Sequence, residues 1–278
     1  MLINDLKTTY WENKDKNPLF VRNLLKQTIQ YYILSFVGQS VWADKFIFKG
    51  GTCLKICFDL PRLSEDLDFD ILDYENFELN PFIAALKKYF TETLQFSNLE
   101  IKQANNKRTI YLKFPVLKAI GVVIDESETN TIFVRLDLAP VVGKKFKTEI
   151  SIKSKDNFYF LIKRYSLPDL LTGKILAILT RQAFEVKTKK ERFKGRDFFD
   201  LIWFLEKSVS PNWDYLQEIL KMSKKEIIKK IDNKVKEANP VFLESDLKPF
   251  LSDQKFVKDF ISNFQKLYKN YKKIMVGK

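Results

Sequence analysis

The 278-residue chain predicts an α+β protein, with an α/β part over residues 1–155 and a helical part over 156–278. Three observations predict this. Short β-rich runs recur as far as Ile152, helical periodicity dominates after Pro168, and an acidic strand follows a glycine pair in a chain with only 8 glycines. Hydrophobic residues make up 45% of the sequence, enough for a packed core and too many for a disordered chain.

Residues 18–37 place Phe20, Leu24, Ile29, Ile33 and Val37 at helical spacing. The run Phe46-Ile47-Phe48 leads through Lys49-Gly50-Gly51-Thr52 into a compact helical segment, CLKICFDL. Residues 67–72 alternate apolar and acidic side chains, a strand pattern, and Asn80-Pro81 opens a helix that runs to Leu94. Three β-rich runs follow: IYLKFPVL, TIFVRLDLA and KTEISIK. Beyond Pro168, helices are expected over 170–183, 196–205, 213–221, 224–235 and 253–271.

Composition removes whole classes of chemistry. The chain has no histidine, which excludes Ser-His-Asp triads, His-ligated zinc and histidine-based metal phosphohydrolase sites. Cys53 and Cys57, four residues apart, read as packing residues on one helix face and supply neither a disulfide framework nor a thiolate metal site. The polar start MLINDLKTTYWENKDKN is no signal peptide, and no apolar run is long enough for a membrane span, so a cytoplasmic protein is expected. With 48 Lys plus Arg against 35 Asp plus Glu, the net charge of +13 favours polyanionic partners where the charge clusters.

Gly50-Gly51-Thr52 sits between a strand and a helix. Backbone N–H groups can converge there on a phosphate, or the glycines can simply make a tight turn. In Ser64-Glu65-Asp66-Leu67-Asp68-Phe69-Asp70, alternation puts Asp66, Asp68 and Asp70 on one face of the strand. Like charges on one face repel, so either a divalent cation compensates them or the face is a solvated edge. In 131–139, Ile132, Val134, Leu136 and Leu138 take the core face, leaving Arg135 and Asp137 together on the other. Asp137 is a candidate third carboxylate, with Glu149 in reserve, although a plain Arg135–Asp137 surface pair fits the same pattern.

Thirteen residues separate Thr52 from Asp66, room for one helix and a return loop. This order resembles the polymerase-β-type nucleotidyltransferase fold, a mixed sheet flanked by helices. The longer string Gly-Gly-Thr…Arg62-x-Ser64-Glu-Asp66-Leu-Asp68-Phe is similar to the AbiEii/AbiGii family of bacterial abortive-infection nucleotidyltransferase toxins. The resemblance extends through the mid-chain carboxylate, a lysine-bearing helix and a late Arg-Asp-x-x-Asp-Leu. It implies a magnesium-dependent enzyme moving a nucleoside monophosphate from an NTP to an acceptor, with two Mg2+ ions or Mn2+ in their place. Under it, Lys49, Gly50, Gly51 and Thr52 contact the triphosphate, and Asp66, Asp68 and Asp137 ligate the metals. Arg62 and Ser64 steady the acidic strand or the phosphates.

The same resemblance puts Lys174 on the nucleotide phosphates, with Arg181 seven residues on along nearly the same helix face; a solvated helix surface is the plainer reading of both. It gives Asp200 the task of holding Lys174 or Arg196, and makes Arg181 and Arg196 candidates for binding the nucleotide. Arg196 and Asp200 also have i,i+4 spacing for a local pair, and Asp197 suits the helix dipole. Residues 187–196, KTKKERFKGR, hold six basic residues and one acid. Lys187, Lys189, Lys190, Arg192 and Lys194 are therefore candidates for an RNA backbone, tRNA being the acceptor of some relatives, or else a basic loop. The resemblance also implies a toxin–antitoxin or phage-defence role with an adjacent-gene antitoxin. A non-catalytic binding module of the same fold, or transfer to protein or a small molecule, is the competing reading.

Overall fold

A computed structural model describes residues 1–104, 108–123, 129–155, 157–180 and 194–276. Two compact units emerge: 1–59 with 63–141 and 148–164, and 60–62 with 142–147 and 165–278.

The first unit holds helices α1 (Leu2–Trp11), α2 (Pro18–Gln39), α3 (Gly50–Phe58) and α4 (Leu79–Lys88). Its strands are β1 (Phe46–Lys49), β2 (Asp66–Ile71), β3 (Glu100–Ala104), β4 (Thr109–Pro115), β5 (Thr131–Pro140), β6 (Thr148–Lys155) and β7 (Phe158–Tyr165). They form a seven-stranded mixed sheet in the order β3-β4-β5-β2-β1-β7-β6. The central pairs set the site: β2 lies antiparallel to β1 and parallel to β5, while β4 is antiparallel to β5.

Sequence explains these elements. Asn17 caps α2 by accepting from the Leu19 and Phe20 N–H groups, and Pro18 supplies the preset φ of the first helical position. Phe46, Ile47 and Phe48 are all fully buried; Phe46 meets Phe69 of β2 edge to face and Phe48 stacks on it, at 5.1 and 5.0 Å between centroids. Such ring pairs stabilise by about 0.5–1.5 kcal/mol beyond their burial. The sheet continues past residue 155 because FYFLIKRY returns beside β1, with Phe158, Phe160 and Ile162 buried on one face. The helix expected to run to Leu94 is α-helical only to Lys88 and ends in a π turn over Tyr89–Thr93.

In the second unit, α5 (Leu167–Thr180), α6 (Gly195–Glu206), α7 (Trp213–Leu220), α8 (Lys224–Glu237), α9 (Pro240–Leu247) and α10 (Gln254–Tyr271) pack around an aromatic core. Phe198 meets Phe264, and Phe199 meets Phe260, at 5.5 and 5.0 Å. Ser166 and Asp169 share a hydrogen bond at the start of α5, and a Ser223–Glu226 capping box opens α8. The start of α6 needs a glycine: a Cβ on Gly195 would lie 2.8 Å from the Leu243 Cα of α9, and its N–H donates to Asp246 at 2.8 Å. Among the described residues, no helix is long and apolar enough to cross a membrane.

Candidate active site

Register on β2 gathers the acidic residues of the first unit. Asp68 stands opposite Lys49 of β1 on one side and opposite Asp137 of β5 on the other. Asp66 and Asp68 are part-exposed, as alternation predicts, whereas Asp70 is buried and its carboxylate accepts from Lys49 Nζ at 2.5 Å. Lys49 is thus engaged with the third strand carboxylate, leaving Asp66 and Asp68 as the pair at the open end of the strand.

Gly50 is dictated by this geometry. Its φ of +79° lies in the region that L side chains avoid, and an added Cβ would fall 2.2 Å from Asp68 Oδ2. The glycine turn and the Asp-x-Asp strand are therefore in direct contact. Gly51 and Thr52 begin α3 buried, and the Thr52 hydroxyl donates to the Asp66 carbonyl, fastening the helix start to the acidic strand. Gly50→Ala is expected to destabilise by about 1–3 kcal/mol from backbone strain, and to displace Asp68. Thermal melts together with a transfer assay check this; an alanine variant as stable and as active as the parent overturns it.

Asp66 carries the electrostatic signature of the cluster. Burial, together with the carboxylates of Glu65, Asp68 and Asp137, pushes its pKa up to about 6 against the pull of Arg135. Asp137 is held by Arg135, at 2.7 Å from Nη2 and 3.0 Å from Nε, and by the Thr109 hydroxyl at 2.8 Å. The Arg135–Asp137 pair read from the sequence thus exists, and the same Asp137 stands in register with Asp68. Glu149 is elsewhere: it lies on β6, three strands from β2 in the sheet, with Arg164 Nη1 at 2.8 Å. Ser64 is buried, and its carbonyl accepts from Gln30 at 3.2 Å.

Among the described residues, no three His, Cys, Asp or Glu side chains stand together as a ready set of metal ligands. The donors themselves fit a hard divalent cation. They are carboxylates, and the pKa of Asp66 is raised by burial and then by neighbouring carboxylates, whose repulsion positive charge would relieve.

The second unit contains its own buried charge cluster. Arg62 grips Asp200 in a two-pronged bond, Nε and Nη2 each 2.6 Å from a carboxylate oxygen, and both side chains are almost fully buried. Lys174 of α5 reaches Asp200 at 2.6 Å and Asp197 at 3.0 Å. Burial disfavours the Lys174 charge, but the carboxylates of Asp200 and Asp197 overcome this and hold its pKa above the usual lysine range. Asp200 therefore steadies Lys174, one of the two partners the sequence offers it. Arg196 lies over the Phe250 ring at 4.3 Å. Asp197, read as a first-turn residue suited to the helix dipole, occupies that turn and also binds Lys174. The Arg62–Asp200 pair escaped sequence reasoning because 138 residues separate its members.

Lys194 is exposed at the start of α6. Arg181, Lys187, Lys189, Lys190 and Arg192 lie outside the described residues.

Two solved structures share the fold of this chain. MenT4, a nucleotidyltransferase toxin of Mycobacterium tuberculosis H37Rv, superposes with a TM-score of 0.54 at 13% identity, over 91% of this chain and 86% of that one. JHP933 from Helicobacter pylori gives a TM-score of 0.50 at 14% identity, over 91% and 93% of the two chains. At such identities the likeness is one of fold. No curated protein matches the chain significantly. The family model described as "Nucleotidyl transferase AbiEii toxin, Type IV TA system" matches residues 33–272. The chain belongs to that family, and is an NTP-dependent nucleotidyltransferase of the toxin–antitoxin type.

Proposed function

We propose that the enzyme transfers a nucleoside monophosphate from an NTP to an RNA acceptor, with tRNA the first candidate, in a magnesium-dependent reaction that arrests growth when the antitoxin does not counter it. The acceptor oxygen bonds to the α-phosphorus as the bond from that phosphorus to the β-phosphate oxygen breaks, and pyrophosphate leaves. One observation carries this reading: Asp68 is in register with Asp137 and in contact with Gly50, so the acidic residues and the glycine turn share one place in the sheet.

Asp66, Asp68 and Asp137 are the residues that would hold magnesium. When bound, magnesium supplies Lewis-acid stabilisation of the phosphate charge and eases ionisation of the acceptor hydroxyl. The first-turn N–H groups of α3, starting at Gly50 and Gly51, have no intrahelical partners and suit the triphosphate oxygens. Thr52 contributes by fixing that turn to β2. In this reading Lys174 offers its ammonium to the phosphates, and Asp200, Asp197 and Arg62 act through it as positioning residues.

The test uses each of the four NTPs labelled at the α-phosphate, incubated with total RNA, total protein and the purified enzyme, with and without magnesium. Label in RNA only when magnesium is present is the expected result. Label in protein or in a small molecule overturns the acceptor, and no label in any fraction overturns the reaction.

The basic segment gives the acceptor a separate test. If Lys187, Lys189, Lys190, Arg192 and Lys194 track a phosphate backbone, replacing them with Ser lowers RNA affinity and flattens its salt dependence, by roughly 0.7–0.9 in log–log slope per lost contact. NTP affinity stays near its parent value, because the glycine turn and the acidic strand lie apart from this segment in sequence. A filter-binding salt titration measures both; an unchanged slope removes the segment from the RNA interface.

A further inference from the structure

The sheet ends on one side at β6, and among the described residues no strand pairs with its outer edge. Unprotected edges of this kind invite another strand. The two faces of β6 are chemically distinct. Arg164 of β7 donates to Ser151 and Glu149, at 2.6 and 2.8 Å, so the odd positions of β6 share the face on which Arg164 lies over the Phe58 ring of α3. Lys155 lies over Tyr31 of α2 on that same side. The even positions face the other way. There Ile150 and Ile152 are 62% and 76% exposed, beside Tyr159 and Leu161 of β7 at 68% and 52%. Four large apolar side chains on one open face at a sheet edge make a patch of the kind that marks an interaction surface.

The sequence of β6, TEISIKSK, is complementary to itself when reversed about Ser151. Antiparallel strands keep their faces only when the paired positions have the same parity, and a centre on Ser151 satisfies this. Glu149 then stands opposite the partner's Lys153, and Lys153 opposite the partner's Glu149. On the open face Ile150 meets the partner's Ile152, and Ile152 the partner's Ile150. Thr148 and the partner's Ser154 complete the ladder. A centre on Lys153 instead would set two ammonium groups face to face, so charge disfavours that register. We propose that β6 is a homodimerisation edge, pairing antiparallel with β6 of a second copy about a two-fold axis at Ser151. The interface is isologous, as a closed two-fold dimer requires, and it joins the two apolar patches into one.

The charge pairs make the test selective. The full chain, followed by sedimentation velocity across about 1–100 µM, is expected to approach twice the monomer mass of 32.9 kDa. Glu149→Lys sets lysine against lysine at both ends of the ladder, and Lys153→Glu sets glutamate against glutamate. Each variant alone is expected to sediment as a monomer, with circular dichroism confirming its fold. Mixed in equal amounts, the two restore the dimer, because each chain then meets the opposite charge at both positions. A parent chain monomeric throughout the range, variants that remain dimeric, or a mixture that stays monomeric each overturn the proposal. Since Glu149→Lys also loses its bond to Arg164, amide exchange on the parent gives a second measurement that does not depend on the variant's fold. Protection of the β6 amides should rise with protein concentration, and protection independent of concentration overturns the pairing.

Discussion

Replacing Asp66 or Asp68 with Ala or Asn will abolish nucleotidyl transfer while the sheet stands. These side chains lie at the part-exposed end of β2, and the core face of that strand, Leu67, Phe69 and Ile71, is untouched by either change. Losing a metal ligand removes several kcal/mol of charge stabilisation from the transition state, a factor on the order of 10³ or more in rate. Full transferase activity or full toxicity in Asp66→Ala defeats the assignment of these carboxylates.

Stability should move in the opposite direction to activity. The Asp66 pKa, raised to about 6 from 3.8, means that the folded protein holds this proton more tightly than the unfolded chain does. A raised carboxylate contributes no penalty below the unfolded value, loses stability as pH climbs from there through 6, and keeps the full penalty above it. Asp66→Asn, which cannot ionise, is therefore expected to melt several degrees higher than the parent at pH 7 without divalent metal, and to show no advantage near pH 4. Added magnesium should raise the melting temperature of the parent and leave that of the variant where it was. Equal melting temperatures at both pH values without metal count against the raised pKa that burial and the neighbouring carboxylates give Asp66.

Local pattern reaches this site unevenly, and the reasons are physical. Alternation places Asp66, Asp68 and Asp137 correctly because a strand with one buried face enforces a period of two, and the buried Leu67, Phe69, Val134 and Leu136 show that enforcement. That Asp68 and Asp137 are neighbours is a matter of register between strands 69 positions apart in sequence, which no local pattern encodes. The strand β7 carries its own alternation in FYFLIKRY but passes unmarked, since it lies close to Pro168, where helical periodicity takes over. Helix α9 is absent from the helices expected on sequence, although Asn239-Pro240 carries the same cap and first-turn signal as Asn17-Pro18. The buried charge cluster is the hardest part to foresee. Arg196 has the spacing to claim Asp200, yet the tightest partner is Arg62, brought from the far side of a whole strand system by tertiary folding.

That cluster yields the second large expected effect, in which two substitutions separate a structural role from a catalytic one. Asp200 is fully buried and compensates two cations, Arg62 and Lys174. Asp200→Ala strands both in a dry environment and is expected to cost about 3–5 kcal/mol of stability, the range for breaking one side of a buried ion pair. Its melting temperature should fall by roughly 10 °C. Lys174→Ala leaves Asp200 with both prongs of Arg62, and leaves Asp197 in the first turn of α6, where the helix dipole favours a carboxylate. Its stability loss should therefore be smaller, about 1–2 kcal/mol. Its rate should fall far more, by a factor on the order of 10²–10³, comparable to the loss of one preorganised charge at a reacting phosphate. Lys174→Arg, which keeps a cation at the position, should recover part of the rate. Turnover measured well below either melting temperature keeps the two effects apart. Normal turnover in Lys174→Ala makes this lysine a structural counter-ion alone, and parent-like stability in Asp200→Ala means that the buried cations are satisfied without it.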